Sequence, residues 1–238
     1  MDKLNTAIVL CGGKGTRLRP LTFDIPKSLI PLQGKTVLEH VIDLFKKFDI
    51  TNIILCVGHM KEQIKNHMGD GSMFGVNITY VEEDEPLGTA GPLKLMKNQG
   101  KLPREPFIYC NGDELKELDL EAMLELHKQN NAMATIALTS VDNPSNYGVA
   151  NLDGNKILEF LEKPENPPSN KINSGLYILT PEVAELVREG FCMVEKDIFP
   201  KIAASGRLFG FPFNGQWFDT GTPERYEKAI KEWKPIIN

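Results

Sequence analysis

The chain has 238 residues, 27 basic against 32 acidic side chains, and a formal net charge of −5. That length suits one large domain with an ample core, and the mildly acidic balance argues against a surface built to wrap nucleic acid. Hydrophobic residues make up 41% and charged residues 25%, as in ordinary globular proteins, and no apolar run reaches the roughly 18 residues of a membrane span.

The N-terminal stretch MDKLNTAIVLCGG is too briefly apolar, and wrongly flanked, for a signal peptide. Cys11, Cys56, Cys110 and Cys192 show neither metal-ligand spacing nor a Cys-x-x-Cys pair. Three of them end apolar runs, where cysteine acts as a small buried hydrophobe. A cytoplasmic, reduced protein is expected.

Short strand-type runs alternate with helical patterns from the start. Residues 6–11 read as a buried strand, and Thr36-Val37-Leu38-Glu39 forms a capping box that opens a helix to about residue 48. Strands follow at 52–57 and 76–81 with a helix over 61–68 between them, and a helix over 89–97 leads to a strand at 106–110. This order, with strands apolar throughout, predicts an α/β fold whose mainly parallel sheet carries helices on both faces. Such sheets bind ligands at the carboxyl ends of their strands. A helix over 120–129 and a strand over 132–139 come next. The pattern then turns β-rich: 147–151 and 156–161, separated by Asp153-Gly154, predict a hairpin, 164–170 a loop and 172–179 a strand. Thr180-Pro181-Glu182 and Thr222-Pro223-Glu224 each have the chemistry of a helix start, with Thr as N-cap and Pro at the first position. The last helix runs to about Trp233.

The first strand delivers the chain into Cys11-Gly12-Gly13-Lys14-Gly15-Thr16-Arg17-Leu18-Arg19-Pro20. Three glycines in four residues let the backbone approach a ligand and turn N–H groups toward an anion, while Lys14, Arg17, Arg19 and the later Lys27 add positive charge. Phosphate suits this chemistry; a tight surface turn with solvated charges is the alternative. The loop is not a dinucleotide fingerprint, because Gly13-x-Gly15 is followed at the third place by Leu18 and the strand ending Val57-Gly58-His59 lacks a ribose-binding acid. It is not a Walker loop either, since Leu29 stands five residues before Gly34-Lys35-Thr36. His40, His59, His67 and His127 show no ligand spacing and read as packed or surface side chains. Trp217, Phe218, Phe211 and Phe213 suit core packing or the wall of a pocket.

The run from Gly12 to Thr22, followed by Pro26-Lys27, closely resembles the N-terminal signature of the sugar-1-phosphate nucleotidyltransferases, also called NDP-sugar pyrophosphorylases. Glu85-Pro86-Leu87-Gly88-Thr89-Ala90, Asn111-Gly112-Asp113, Tyr147-Gly148, Glu162-Lys163-Pro164, Asn173-Ser174-Gly175 and Phe218-Asp219-Thr220-Gly221 follow in that family's order. Pro86-Leu87-Gly88-Thr89-Ala90-Gly91, with Glu195-Lys196-Asp197 ahead of Phe199-Pro200-Lys201, is most like the mannose-1-phosphate guanylyltransferase branch. The resemblance implies a Rossmann-like, three-layer, GT-A-like α/β fold with a mainly parallel central sheet and a small β-rich sugar-binding lobe. It implies one catalytic domain over 1–238, with about 1–140 serving the nucleotide and about 141–238 the sugar phosphate. The chain ends soon after the helix that follows Asp219, so the C-terminal left-handed β-helix of many relatives in that branch is not expected.

In the implied reaction a sugar-1-phosphate oxygen attacks the α-phosphorus of a nucleoside triphosphate and pyrophosphate leaves. A phosphate with a second pKa of about 6 needs no general base, so no catalytic His or Cys is expected. Needed instead are the positioning of two anions and the neutralisation of charge building on the α-phosphate and leaving group. The resemblance assigns Mg²⁺, which takes one or two protein carboxylates, to Asp113 and Asp219. Glu114 departs from the apolar residue expected after Gly-Asp and is not counted as a ligand. Arg17 and Lys27 complete the catalytic set by holding the triphosphate. Nucleotide binding is implied for Leu10, Gly12, Gly13, Gly15, Thr16, Arg17, Lys27, Glu85, Leu87, Gly88 and Thr89, and sugar-phosphate binding for Gly112, Tyr147, Gly148, Glu162, Lys163, Asn173 and Gly175. The expected partners are an NTP, with GTP favoured, and a sugar-1-phosphate, in a monomer or homodimer with no nucleic-acid or membrane partner. GTP and mannose-1-phosphate giving GDP-mannose is the favoured reaction. The same chemistry on a heptose-1-phosphate, glucose-1-phosphate, an amino sugar phosphate or phosphocholine stays open, as does a non-catalytic nucleotide-sugar-binding subunit.

Overall fold

The computed structural model describes residues 3–236. In chain order its elements are β1 (Thr6–Leu10), β2 (Pro31–Leu32), β3 (Lys35–Thr36), α1 (Val37–Lys46), β4 (Asn52–Val57), α2 (Lys61–Met68), β5 (Asn77–Glu82), α3 (Gly91–Asn98) and β6 (Phe107–Asn111). They continue with β7 (Glu114–Lys116), α4 (Leu120–Gln129), β8 (Ala134–Ser140), β9 (Gly148–Asp153), β10 (Lys156–Glu162), β11 (Lys171–Leu179), α5 (Phe199–Ala204), β12 (Leu208–Pro212), β13 (Trp217–Asp219) and α6 (Pro223–Glu232). Two compact units are interleaved along the chain. One comprises Asn5–Pro86, Cys110–Leu118 and 215–236; the other comprises Leu87–Tyr109 and Asp119–Asn214, with 3–4.

In the first unit β1, β4 and β5 pair in parallel. Ala7, Ile8 and Val9 are wholly buried, which is why this strand reads as an unbroken apolar run rather than an alternating one. Thr36 caps the helix as expected, its Oγ1 accepting from the Glu39 amide at 3.2 Å, but the Glu39 carboxylate accepts from His67 Nε2 at 2.7 Å, so only the N-cap half of the expected box is seen. From that start α1 buries Val37, Leu38, Val41, Ile42, Leu44 and Phe45. The short strands β7 and β13 pair antiparallel, and α6 follows with Thr222 as its N-cap. His40 is packed, its Nε2 donating to the Leu32 carbonyl at 2.9 Å while Nδ1 accepts from Trp233 Nε1 at 3.3 Å.

The second unit orders its strands β11-β8-β12-β10-β9. Only β8 and β12 run parallel; the neighbouring pairs β11–β8, β12–β10 and β10–β9 are antiparallel, the β-rich character expected of this part. The hairpin of β9 and β10 turns at Asp153 and Gly154 as expected. The two Thr-Pro-Glu starts diverge. Thr222 accepts from the Arg225 amide and opens a ten-residue helix. The Thr180 hydroxyl instead donates to the Met133 carbonyl, so Pro181–Glu185 forms only a 3₁₀ segment. Not foreseen were β7, β12, β13, α5 and the π-helical segment Val194–Ile198, each too short for periodicity to mark. All four cysteines are buried and unpaired with one another. Among the described residues no helix is long and apolar enough to cross a membrane.

His127 of α4 is 2% exposed and its Nδ1 lies 2.9 Å from Thr135 Oγ1. Burial, with Arg207 and Lys128 adding positive charge, lowers its pKa from 6.5 to about 4. The folded state therefore binds fewer protons than the unfolded state between those values, and stability falls as pH drops through that window. Urea unfolding at pH 7.5 and 4.5 should show His127→Gln losing less stability than wild type, by roughly 2–3 kcal/mol. Equal losses in both would refute the assignment.

Candidate active site

In the first unit the chain leaves β1 through a glycine loop whose close contacts explain its sequence. Gly15 has φ +60°, and a Cβ there would lie 3.1 Å from both Lys27 Cβ and Thr22 Cγ2, so only glycine fits without strain. The Thr22 hydroxyl donates to the Gly15 carbonyl at 2.7 Å and pins the turn. Gly13 is open to solvent. Gly112 follows β6 and donates its amide to the Leu10 carbonyl at 3.0 Å; a Cβ there would meet Cys11 Sγ at 2.8 Å. That close approach sets Asp113 beside the glycine loop.

The Asp113 carboxylate pairs with Lys27 Nζ, whose side chain is 11% exposed. Burial works to raise the pKa of Asp113, but Lys27, with Lys116, overcomes it and holds the group below the usual carboxylate range. The Asp113 carbonyl accepts from Thr220 Oγ1 at 2.7 Å, joining this turn to the end of β13. Asp219 lies on β13 opposite Glu114 of β7, so it stands across from the residue that follows Asp113 in the chain. Its carboxylate accepts the Gly221 amide at 2.7 Å and pairs with the Arg225 guanidinium. Arg17 is exposed and its Nη2 lies 3.3 Å from where a Gly221 Cβ would stand, near Asp219. Arg19 instead stacks over the Phe23 ring at 5.1 Å.

Glu114 is held rather than free. One carboxylate oxygen accepts from Asn111 Nδ2 at 2.9 Å and the other from Trp217 Nε1 at 3.1 Å. Burial raises its pKa to about 7, with Asp113 and Asp219 adding to the rise and Lys116 opposing it. Three acids thus meet three cations, with Lys27 on Asp113, Arg225 on Asp219 and the charge of the buried Lys116 acting on Asp113 and Glu114. Asp113 and Asp219 offer the one or two carboxylates that a Mg²⁺-type ion takes from a protein while water and phosphate oxygens fill the rest of its shell. Among the described residues no cluster of three or more His, Cys, Asp or Glu side chains is arranged around a common metal position. Leu10 contributes its carbonyl to this region, Thr16 opens a 3₁₀ turn over Thr16–Leu18, and Glu85 is exposed beyond the end of β5.

The remaining expected site residues belong to the second unit. At the base of the β9–β10 hairpin Gly148 faces Glu162 in register, and a Cβ on Gly148 would lie 2.4 Å from Phe160 Cζ and 3.0 Å from Glu162 Oε2. Lys163 has φ +52°, a left-handed conformation that costs a non-glycine residue and concentrates at functional positions. Its amide donates to the Tyr147 carbonyl at 3.0 Å, and its Nζ lies 3.7 Å from Glu162. Tyr147, Gly148, Glu162 and Lys163 are therefore brought together. Asn173 and Gly175 sit where β11 slips register; Asn173 Oδ1 accepts the Gly175 amide at 2.8 Å, and Gly175 has φ +68°. Leu87, Gly88 and Thr89 form a loop in which Thr89 Oγ1 donates to Glu195 and accepts from the Val194 amide. No signal in the sequence marked Arg225, Lys116 and Tyr177 as site residues or foretold the inward contacts of Glu195. Only Arg225 left a local trace, as the third residue of a helix capped just after Asp219.

Fold and site define an α/β protein whose glycine loop, closed over by a lysine, stands beside a pair of carboxylates at strand ends. The chain belongs to the nucleotidyl transferase family, whose model matches residues 6–234. It is 39% identical over 223 residues to mannose-1-phosphate guanyltransferase beta-B of Xenopus laevis, covering 92% of this chain and 62% of that protein. It is 39% identical over 226 residues to the mannose-1-phosphate guanyltransferase of Saccharomyces cerevisiae, with the same two coverages, 92% and 62%. The chain thus spans about 62% of the length of these curated relatives. Among solved structures, HddC from Yersinia pseudotuberculosis complexed with GMP-PN matches with a TM-score of 0.82 and 28% identity, over 97% of this chain and 100% of that one.

Proposed function

We propose that this chain transfers a nucleoside monophosphate from a nucleoside triphosphate to a sugar-1-phosphate, with GTP and mannose-1-phosphate as the favoured pair and GDP-mannose and pyrophosphate as products. The observation that carries this reading is the pair Asp113, in the turn that leads into β7, and Asp219, at the end of its partner strand β13, each paired with a cationic side chain. The two carboxylates would hold Mg²⁺, which when bound neutralises charge on the α-phosphate and the leaving pyrophosphate. Gly12, Gly13 and Gly15 would present backbone N–H groups to the triphosphate, with Arg17 gripping its oxygens as a fork and Lys27 as a point charge. Lys163 would take the sugar phosphate, and Glu162 and Asn173 the sugar hydroxyls. The reaction needs two mutually repelling anions to be bound and oriented, and no proton need be removed from the attacking phosphate. The names of the relatives support guanosine and mannose, and the GMP-PN complex of HddC supports a nucleotide. A cytoplasmic monomer or homodimer belongs to the same reading.

The test is pyrophosphate release by the full chain over a panel of nucleoside triphosphates and sugar phosphates, with Mg²⁺ and after chelation. GTP with mannose-1-phosphate should be turned over fastest, and chelation should abolish the activity. Faster release with a heptose-1-phosphate, glucose-1-phosphate, an amino sugar phosphate or phosphocholine would reassign the acceptor. Binding of an NDP-sugar without release from any pair would overturn the enzymatic reading in favour of a non-catalytic binding subunit.

A further inference from the structure

We propose that Glu195 is a positioning residue that ties the loop over 87–90 to Asn173, so that one buried carboxylate sets two binding elements at once. The proposal rests on the reading just given, in which Asn173 meets the sugar, and on the nucleotide binding that the resemblance implies for Leu87, Gly88 and Thr89.

Glu195 is 7% exposed, and its partners are hydroxyls rather than cations. Oε2 accepts from Thr89 Oγ1 at 2.5 Å, and Oε1 accepts from Tyr177 OH at 3.5 Å. A carboxylate is seldom buried without a cation, because desolvation penalises its charge. Here the backbone places it inside. The π-helical segment Val194–Ile198 leaves Lys196 exposed and Glu195 buried, and such segments recur at functional sites.

One arm of Glu195 reaches the loop. Thr89 Oγ1 both donates to Glu195 and accepts from the Val194 amide at 3.0 Å. The Cys192 amide donates to the Leu87 carbonyl at 2.9 Å, and the Ala90 amide to the Cys192 carbonyl at 2.8 Å. Gly88, at φ +74°, lies so near that a Cβ would stand 2.5 Å from Cys192 O. The loop is thus laid along residues 192–195 and locked at its far end by the Thr89–Glu195 bond. The other arm runs through Tyr177, whose hydroxyl accepts from Asn173 Nδ2 at 2.8 Å, and Asn173 in turn caps the Gly175 amide. With Nδ2 held by Tyr177, the Asn173 amide has a single orientation. Glu195→Gln exchanges one of the two accepting oxygens for a donating amide, so the side chain can no longer accept from the Thr89 and Tyr177 hydroxyls with one oxygen each.

The experiment uses the full chain as wild type, Glu195→Gln, Thr89→Val, Tyr177→Phe and the Thr89→Val/Tyr177→Phe double variant. Steady-state kinetics is run with the nucleotide and sugar phosphate that the wild type turns over best. Losing a hydrogen bond to a charged group costs about tenfold or more. Glu195→Gln should therefore raise KM for both substrates about tenfold while kcat changes less. Thr89→Val should raise only the nucleotide KM, and Tyr177→Phe only the sugar-phosphate KM. Unchanged KM values in Glu195→Gln, or a rise in one alone, would overturn the proposal and leave the enzymatic reading standing. A wild type inactive with every pair would sink the enzymatic reading, and hydrogen exchange then decides the coupling. Glu195→Gln should speed exchange at the Ala90 and Gly175 amides together, and acceleration at only one would refute the link. Should Glu195→Gln not fold, the single and double hydroxyl variants form a cycle, in which strictly additive effects on exchange would refute the coupling through Glu195.

Discussion

Asp113→Ala and Asp219→Ala should each lower turnover of the proposed reaction by about 10³-fold, since Lewis-acid stabilisation of a phosphoryl transition state amounts to several kcal/mol. The two carboxylates enter the site differently. Asp113 follows β6 through Gly112, which is pressed against Leu10 and Cys11, and is paired with Lys27. Asp219 ends β13 and is fixed by the Gly221 amide and Arg225. Each alanine variant should also need more Mg²⁺ for half-maximal activity, because one protein oxygen of a pair is gone. A Mg²⁺ titration of pyrophosphate release checks both effects. Activity within threefold of wild type in either variant would refute its role as ligand. Asp219→Ala also removes the acceptor of the Gly221 amide and a partner of Arg225, so thermal unfolding of each variant is measured alongside to separate lost chemistry from lost fold.

Lys27→Met should lower kcat/KM by about 10²- to 10³-fold, the range found when one preorganised donor is removed from a charged transition state. The Lys27 side chain is only 11% exposed, and its ammonium lies on Asp113 rather than in water. Its stem packs against Gly15, so the glycine loop and the cation are built as one piece. Lys27→Arg keeps the charge but presents a planar fork where a compact ammonium stood, and should recover only part of the loss. Full activity in Lys27→Met would exclude a function in holding the triphosphate. Because Lys27 also lowers the pKa of Asp113, the methionine variant should in addition lose activity at a higher pH on the acid side than wild type.

Much of this molecule could be read from residue order. The parallel strands β1 and β4, the helices α2 and α4, and the β9–β10 hairpin follow from apolar runs, periodicity and an Asp-Gly turn. Thr36 and Thr222 mark helix starts because a capping bond is local and depends on the next three residues. Thr180 carries the same signal and opens only a 3₁₀ segment, because a carbonyl 47 residues earlier takes its hydroxyl. The candidate site was legible in two ways: residue types suggested a glycine loop suited to an anion, and only the resemblance assigned two acids in turns to Mg²⁺.

The sequence by itself determined which local elements form and which functional groups the chain owns. Only the tertiary structure decided which of those groups face one another. It set Arg225 on Asp219, closed Asn111 and Trp217 over the otherwise ambiguous Glu114, buried Lys116 where its charge acts on Asp113 and Glu114, and turned Glu195 inward onto Thr89 and Tyr177. The physical reason is one of range. Capping and periodicity act over three or four residues, whereas desolvation and Coulomb interaction depend on burial and distance in space. The Trp217–Glu114 and Thr89–Glu195 bonds join residues 103 and 106 positions apart, and no local pattern in the chain encodes such a meeting.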